Sequence, residues 1–474
     1  MLTQLYRSDL GLLTDLYELT MSHAYREQGM EDSEAIFYLY FRSLPPGWNY
    51  ALAAGTELVA EYLEQWHFSA EDVAYLGSLK TQEGHALFPE HFLNYLQRLR
   101  FTGTLEALPE GELVFPNQPI LRIQAPLIQA QIIESALLNL INFSTLIATK
   151  AARIADAAGD GSVLEFGLRR AQGIDGSITA SRAAYLGGCT GTSNVLAGRL
   201  LGIPVKGTHA HSWVMSFDSE LEAFERYARA MPDNALFLVD TYDSIRGIEH
   251  AILIGQELRN RGHKLLGIRL DSGELAQLSK TARRMLDEAG FPDAVIVASN
   301  QLDEEVIAKL RAQGAPIAVW GVGTQLVTGQ PQAAIGCVYK MSAIRKPGEA
   351  WQARIKLSEE EAKSSLPGQL QIRRFYQNGQ LLGDLVYDQM QGYTPGKYFG
   401  LPAEAGKDLL RPVLVNGQRT SPPPSLNEMR HYAIQQRKLF LSSWRKKAYP
   451  VQQDAKLIQL KNKLKNNHQK AVVL

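Results

Sequence analysis

From residue 163 to residue 324, short apolar runs alternate with segments of helical pattern, and each apolar run ends in polar residues or glycine. The runs and their polar ends occupy residues 163–167, 205–209, 236–241, 265–273, 295–300 and 317–324. Strand–helix alternation at this spacing predicts βαβ units and a parallel sheet. No Rossmann glycine fingerprint accompanies the runs, so the fold class predicted is α/β, with a TIM-like barrel that we expect to be incomplete.

The segments on either side of this region have different patterns. Residues 10–29 predict a helix, whereas residues 102–125 predict short strands interrupted by glycine and proline. After residue 330 the pattern favours strands again. Residues 370–387 predict a β-hairpin with Asn378 and Gly379 as its turn. The chain is therefore expected to contain β-rich structure outside the barrel-like region.

Composition excludes several classes of protein. Lys+Arg and Asp+Glu number 49 each, so no global charge favours nucleic acid or a membrane surface, and the lysine-rich end at 456–470 is expected to be a solvated face. Two cysteines, Cys189 and Cys337, suit a reducing compartment. Neither an apolar signal-peptide region nor an apolar run of about 18 residues is present, so we expect a cytoplasmic protein.

Two histidines, His209 and His211, follow the apolar residues 203–205, which predict a strand. A metal-dependent hydrolase also places two histidines at a strand end, but it needs further histidine ligands at later strand ends. The later residues His250 and His263 lie in a helical pattern and before a strand, so the metal interpretation is disfavoured. A proton carrier and a phosphate acceptor remain as interpretations of one histidine, which we expect to be His211, while His209 is expected to be structural.

The ends of the predicted strands share a chemistry that favours a phosphorylated sugar. Glycine amides and arginines bind phosphate, while carboxylates hold magnesium or ribose hydroxyls. The polar groups at these ends include Arg169, Arg269, Thr208, Ser299, Thr324, Glu165, Asp240 and Asp271. Because the carboxyl ends of parallel strands meet at one edge, we expect these groups to form one site.

A set of motifs then resembles the nicotinate phosphoribosyltransferase family, and the likeness runs from about residue 9 to the C-terminal helix. The motifs are TDLYELTM at 14–21, EFGLRRAQG at 165–173, GCTGTSNV at 188–195, GTHAHSW at 207–213, IRLDSG at 268–273 and GVGT at 321–324. They occur in the family's order, which makes the resemblance strongly specific.

The resemblance implies a reaction in NAD biosynthesis. Nicotinate and phosphoribosyl pyrophosphate would give nicotinate mononucleotide and pyrophosphate, coupled to ATP hydrolysis, with magnesium. It also implies a homodimer with shared active sites and a second mixed α/β domain built from both ends of the chain. The implied domains are an N-terminal domain at 1–130 joined by C-terminal strands, a barrel-like domain at 131–335, and a β-rich segment with a helical tail at 336–474.

Site roles follow from the resemblance, residue by residue. His211 would be phosphorylated by ATP. Tyr17, from the partner subunit, and Phe166 would stack on the two faces of the pyridine ring. Thr208 and Arg269 would line the nicotinate site, where Arg269 would pair with the carboxylate that distinguishes nicotinate from nicotinamide.

The remaining implied roles concern the phosphoribosyl group. Gly323 and Thr324 would hold its phosphate, Arg169 would hold phosphate or the ring, and Asp271 would face the ribose hydroxyls or magnesium. The magnesium ligands are not assigned. The family often has aspartate where this chain has Gln301, which puts the metal arrangement at that position in doubt.

Other interpretations stay open. Without the resemblance, Tyr17 on a helix would be assigned to the core, Phe166 to barrel packing and Asp271 to a helix cap. A nicotinamide-using relative is disfavoured by Ser193, because that relative has an aspartate there, which would repel a carboxylate. A non-catalytic paralogue that binds pyridine nucleotides is the third possibility.

Overall fold

The computed structural model describes residues 10–358, 364–444 and 447–472. The chain packs into two compact units. The first unit comprises the residues up to Leu146 together with those from Ala334 onward, and the second comprises Ile147–Ala333. Within the described ranges, no helix is both long enough and apolar enough to cross a membrane.

The elements are numbered here in chain order. The helices are α1 (Leu16–Glu27), α2 (Thr56–Gln65), α3 (Ala70–Ser78), α4 (Glu90–Arg98), α5 (Leu127–Ile132), α6 (Glu134–Ala158), α7 (Gly173–Gly187), α8 (Val195–Leu201), α9 (His211–Val214), α10 (Glu220–Ala230), α11 (Ser244–Asn260), α12 (Leu275–Glu288), α13 (Glu304–Ala312), α14 (Thr324–Val327), α15 (Leu426–Trp444) and α16 (Ala455–Val472). The strands are β1 (Glu34–Phe41), β2 (Ala51–Leu52), β3 (Thr104–Ala107), β4 (Leu113–Val114), β5 (Leu121–Pro126), β6 (Ser162–Glu165), β7 (Gly191–Thr192), β8 (Leu236–Leu238), β9 (Gly267–Leu270), β10 (Val295–Ala298), β11 (Val319–Val322), β12 (Cys337–Arg345), β13 (Gln352–Ala353), β14 (Leu370–Gln377), β15 (Gln380–Asp388), β16 (Lys397–Tyr398), β17 (Leu401–Pro402), β18 (Lys407–Asp408), β19 (Arg411–Val415), β20 (Gln418–Arg419) and β21 (Val451–Gln453).

The second unit is built on a parallel sheet with the strand order β7-β6-β11-β10-β9-β8. Helices connect the strands, as the alternation in the sequence predicts, and regular pairing ends at β7 and β8. The α/β class and the incomplete barrel are therefore confirmed.

The strand predicted at residues 203–205 is wrong as a regular strand. Val205 forms only an isolated parallel bridge with Thr192 of β7, and Pro204 has no N–H to donate to a ladder. On the other side of this segment, the Thr208 hydroxyl donates to the Leu236 carbonyl of β8 at 2.6 Å. The segment thus lies between the two edge strands and contacts both, although it does not continue the sheet.

The first unit combines strands from both ends of the chain. Its antiparallel sheet has the order β13-β12-β1-β5-β3-β19-β20, so N-terminal strands pair directly with C-terminal ones. Strand β1 is buried along nearly its whole length, because both its faces are covered, which explains its uninterrupted apolar sequence. This arrangement confirms the second mixed α/β domain built from N- and C-terminal segments.

A second sheet of this unit contains the hairpin β14–β15, within the order β18-β14-β15-β21. Asn378 and Gly379 connect the two strands with φ angles of 50° and 72°. A two-residue turn of this kind requires positive φ at both positions, which asparagine and glycine tolerate best. The predicted hairpin is confirmed.

Arg374 on β14 lies at the centre of a fully buried ion cluster. Its guanidinium donates to both carboxylate oxygens of Asp384 at 2.7 Å and to Glu112 Oε1 at 2.6 Å. Burial alone would lower the pKa of Arg374, but the two carboxylates outweigh burial and hold it well above its ordinary value. Gln118 and Tyr449 donate to the oxygens of Asp384, so these buried charges are well satisfied.

Candidate active site

The carboxyl ends of the parallel strands form two adjoining cavities in the second unit. Cavity A has a volume of about 230 Å³. It is lined by Phe166, Leu168, Arg169, Ser193, Gly207, Thr208 and Arg269. It therefore contains two arginines, two hydroxyls and an aromatic ring, a set that can bind a flat anionic molecule.

Cavity B has a volume of about 190 Å³ and is more strongly polar in its residues. It is lined by Phe166, Arg169, Arg170, Arg269, Asp271, Ser299, Asn300, Gln301, Gly321, Gly323 and Thr324. Three arginines and several backbone and hydroxyl donors suit phosphate groups, while Asp271 offers an acceptor for hydroxyls or a cation. Phe166, Arg169 and Arg269 line both cavities and form a shared wall between them.

The position of Phe166 depends on its neighbours. Glu165, which is almost completely buried, accepts hydrogen bonds from Ser181 Oγ at 2.8 Å and Thr192 Oγ1 at 2.6 Å, and also from the Gly167 amide. A Cβ atom at Gly321 would lie 2.7 Å from the Phe166 ring, so only glycine leaves room for it. The ring is thus held at the strand end by packing and by the turn that follows it.

Arg269 is held in the shared wall by polar contacts. Its Nε donates to Ser299 Oγ at 2.8 Å, and its Nη2 donates to Asp271 Oδ1 at 3.1 Å. Ser299 also donates to Asp271, and the guanidinium carbon lies 5.7 Å from the centre of the Phe166 ring. Since these contacts fix the plane of the guanidinium, the side chain is pre-oriented for an anionic partner.

The imidazole of His211, at the start of α9, is hydrogen-bonded through one nitrogen and faces a carboxylate with the other. Its Nδ1 lies 3.1 Å from Thr241 Oγ1, and its Nε2 lies 4.0 Å from Asp271 Oδ2. The side chain is 41% exposed, so a dissolved substrate can reach it. Because Asp271 also contacts Arg269, one carboxylate links His211 to the shared wall.

His209 occupies a different environment from His211. It is buried against Phe224, Tyr227 and Phe237, and its Nε2 accepts a hydrogen bond from the Leu238 amide at 3.3 Å. The ring therefore ties the segment before α9 to strand β8. This contact supports the expectation that His209 is structural.

Burial of His209 has a consequence for stability in acid. Burial lowers its pKa to about 4, and the positive charge of Arg269 acts in the same direction. Because the pKa in the unfolded chain is about 6.5, the unfolded state binds more protons between these values. The contribution of buried, neutral His209 to the free energy of unfolding is therefore complete above about pH 6.5. About 3 kcal/mol of this contribution is lost as the pH falls from 6.5 through 4.

We expect His209→Asn to flatten the dependence of thermal unfolding on pH between about 6.5 and 4. The asparagine side chain retains an acceptor but does not titrate. The measurement is the unfolding midpoint at several pH values, with His85→Asn at an exposed position as the control. An unchanged pH dependence in His209→Asn would contradict the assigned environment.

A family model described as nicotinate phosphoribosyltransferase N-terminal domain matches residues 12–142, and one described as nicotinate phosphoribosyltransferase family matches residues 162–379. A nicotinate phosphoribosyltransferase of Bacillus subtilis is 44% identical over 403 residues, covering 85% of this chain and 78% of the relative. The chain belongs to the nicotinate phosphoribosyltransferase family. The Mycobacterium tuberculosis relative named nicotinate phosphoribosyltransferase pncB2 is 42% identical, covering 90% of this chain and 86% of its own length.

Solved structures agree with membership of the nicotinate phosphoribosyltransferase family. The crystal structure of human nicotinic acid phosphoribosyltransferase has a TM-score of 0.81 and 31% identity, covering 95% of this chain and 99% of that one. A nicotinate-nucleotide pyrophosphorylase from Pyrococcus furiosus, at 23% identity and a TM-score of 0.71, shares the fold.

Tyr17, which the nicotinate phosphoribosyltransferase resemblance assigns to the pyridine site, lies on α1 in the first unit. The interpretation of Tyr17 as a core residue is wrong, because 46% of its surface is exposed. Its neighbour Glu18 is the buried residue of this motif, and its Oε1 accepts from the Ser135 amide at 2.9 Å and hydroxyl at 2.6 Å. The motif therefore anchors α1 through Glu18 and leaves nearly half of the surface of Tyr17 exposed.

The surroundings of Phe166 and Asp271 also do not fit purely structural roles for these residues. Phe166 is only half-buried and faces both cavities, so it does not serve barrel packing alone. Asp271 does not cap α12, whose N-cap is Glu274. Instead, its backbone amide donates to Asp240 Oδ2 at 2.8 Å, and its carboxylate faces Arg269 and His211.

Three residues to which the sequence assigns no individual role contact the site. Thr241 contacts His211, Asp240 holds the turn at Asp271, and Ser299 contacts Arg269. The sequence identifies Asp240 and Ser299 only as polar groups at strand ends. Thr241 follows Asp240 directly, so its position after a strand is the signal that could have identified it.

Proposed function

We propose that this protein is a nicotinate phosphoribosyltransferase of NAD biosynthesis. It would convert nicotinate and phosphoribosyl pyrophosphate to nicotinate mononucleotide and pyrophosphate, and couple this reaction to ATP hydrolysis through phosphorylation of His211. The names of the relatives and the two cavities with their shared wall support the proposal.

The shared wall is the observation that carries this proposal. Nicotinate in cavity A would place its carboxylate near Arg269 and its ring against Phe166. Phosphoribosyl pyrophosphate in cavity B would use Gly323 and Thr324 for its phosphate, with Arg169 between the two substrates. The pyridine nitrogen would attack the anomeric carbon as pyrophosphate leaves. Holding both substrates on one wall supplies proximity and orientation for this step.

Asp271 would stabilise the transition state of this transfer. As the bond to pyrophosphate lengthens, positive charge develops on the ribose, and a fixed carboxylate at the edge of cavity B opposes it. Arg269 and Ser299 hold that carboxylate in place. Because these contacts exist before substrate binds, little reorganisation is needed during the reaction.

Magnesium fits the acidic side of this site. The Oδ2 atom of Asp240 accepts from Asp271 and Ser272, whereas its buried Oδ1 has no hydrogen-bond partner among the described residues. A carboxylate oxygen in this position suits a hard cation. Asp240 and Asp271 would therefore hold magnesium, which would neutralise charge on the pyrophosphate group.

His211 would accept the terminal phosphoryl group of ATP, with ADP leaving. An imidazole nitrogen is a competent nucleophile, and its bond to phosphorus is labile enough for transient storage of energy. Thr241 and Asp271 would orient the ring from its two sides, which reduces the entropy lost on reaching the transition state. Phosphorylated His211 would raise the affinity for phosphoribosyl pyrophosphate, and its hydrolysis would favour product release.

The proposal includes a cytoplasmic homodimer with shared active sites. Tyr17 is exposed on α1, and an exposed aromatic ring is available to stack on a pyridine bound in another subunit. Leu13 and Leu16, close to it, are also exposed, which is typical of a surface that becomes covered on assembly.

The test is product formation from nicotinate or nicotinamide, each with phosphoribosyl pyrophosphate and magnesium, with and without ATP. We expect nicotinate to be strongly preferred, since Ser193 in cavity A carries no charge that would repel a carboxylate. Use of nicotinamide at an equal rate would favour a nicotinamide-using enzyme. Tight binding of nicotinate mononucleotide without turnover would favour a non-catalytic paralogue.

Arg269→Gln is expected to reduce kcat/KM for nicotinate by roughly 100-fold, because the carboxylate of the bound substrate loses its positively charged partner. Nicotinamide should lose less activity, because for that substrate only the contact through which Arg269 holds Asp271 is removed. Arg284→Gln, at an exposed position on α12, is the control and should match the parent protein. An equal loss for both pyridines would show that Arg269 does not read the carboxylate.

A further inference from the structure

A group of three metal-ligating side chains lies on the first unit and takes no part in the proposed reaction. His23 and Glu27 are four positions apart on α1, so they share one face of the helix, and His91 lies on α4. One ligand atom from each lies within 4.8 Å of the others. Two imidazoles and one carboxylate are a donor set that zinc takes with water in its fourth position.

The distances between the ligand atoms are close to those expected around a zinc ion. Glu27 Oε1 lies 2.7 Å from His91 Nε2 and 3.8 Å from His23 Nδ1. Two ligands of a tetrahedral zinc ion, each about 2.1 Å from the metal, lie roughly 3.4 Å apart. Small rotations of two partly exposed side chains, Glu27 and His91, therefore suffice to bring all three atoms to bonding distance.

The environment of His23 also favours a bound metal ion. Its Nδ1 is buried and has no hydrogen-bond partner among the described residues, an arrangement that costs free energy unless another ligand is present. Its ring packs 5.1 Å from the ring of Phe92, which limits its movement.

We propose that His23, Glu27 and His91 bind a zinc ion that joins α1 to α4. The imidazoles disfavour magnesium, which prefers oxygen ligands, so the site is distinct in chemistry from the acidic side of cavity B. A metal here braces the C-terminal half of α1, the helix whose N-terminal half carries Tyr17. The site thus stabilises the element that presents this exposed aromatic ring.

The test is zinc binding to the full chain after chelator treatment, measured by calorimetry and by metal analysis. The parent protein is expected to bind about one equivalent of zinc that excess magnesium does not displace. His91→Ala should weaken this binding about tenfold or more and abolish the rise in unfolding temperature that zinc produces. Since His91 is half-exposed, this variant should fold.

The control is His85→Ala. His85 is an exposed histidine of the same unit that lies 3.9 Å from a single carboxylate, Glu83, and should have no effect on zinc binding. Glu27→Gln, which keeps the shape of the side chain, provides a second variant and should weaken binding as His91→Ala does. Zinc binding unchanged in both variants, or absence of stoichiometric binding in the parent, would overturn the proposal.

Discussion

His211→Ala is expected to abolish phosphate incorporation from ATP and to remove the stimulation of nicotinate mononucleotide synthesis by ATP. Slow transfer without ATP should remain, because the residues of the shared wall are unchanged. With ATP present, the loss in kcat/KM for phosphoribosyl pyrophosphate should be about 10- to 100-fold, the usual size of a coupling free energy. Acid-labile phosphate on the protein and steady-state rates measure the two effects.

The matched control for His211→Ala is His263→Ala. His263 lies in the same unit but lines neither cavity, and its Nδ1 is 2.8 Å from the Asp233 carboxylate. His263→Ala therefore removes a histidine–carboxylate contact outside the site. Full ATP stimulation should persist in this variant. ATP stimulation that survives in His211→Ala would show that another residue accepts the phosphoryl group, or that none does.

Arg374→Met is expected to produce the largest loss of stability. Removing the guanidinium leaves Asp384 and Glu112 buried without their counter-charge, a defect that costs about 3–5 kcal/mol. For a unit of this size, the unfolding midpoint should fall by roughly 5–8 °C. Thermal unfolding followed by circular dichroism measures this effect.

Two comparisons separate this charge effect from loss of packing. Combining Arg374→Met with Asp384→Asn and Glu112→Gln should recover part of the stability, because no unpaired buried charge remains. Arg229→Met breaks an exposed pair with Glu225 on α10 and should change stability by less than about 1 kcal/mol. A midpoint for Arg374→Met close to that of Arg229→Met would contradict the assigned role of the cluster.

The parallel sheet could be predicted because its strands carry a strong local signal. Apolar runs such as 236–238 and 295–298 are buried on both faces and end in polar residues, so their type and carboxyl ends follow from sequence. The order of the strands depends on contacts between distant segments, which local patterns do not contain. The error at 203–205 has a similar cause, since its apolar residues resemble a strand while Pro204 prevents regular pairing.

The candidate site likewise has residues that the sequence could identify and contacts that it could not. His211, Arg269 and Asp271 could be singled out because they stand in motifs at strand ends. The contact between His211 and Thr241 could not, because residues 30 positions apart meet only through the placement of β8 beside the segment before α9. The exposure of Tyr17 depends likewise on which face of α1 packs inward, and Glu18 decides that face.

The wall shared by the two cavities has a thermodynamic consequence for the order in which substrates bind. Phe166, Arg169 and Arg269 would contact both ligands, so a ligand that fixes these side chains in one cavity changes the free energy of binding in the other. By reciprocity, nicotinate must alter the affinity for phosphoribosyl pyrophosphate by the same factor as phosphoribosyl pyrophosphate alters the affinity for nicotinate. Substitutions in these three residues should therefore change the cooperativity between substrates, and not only the affinity for each.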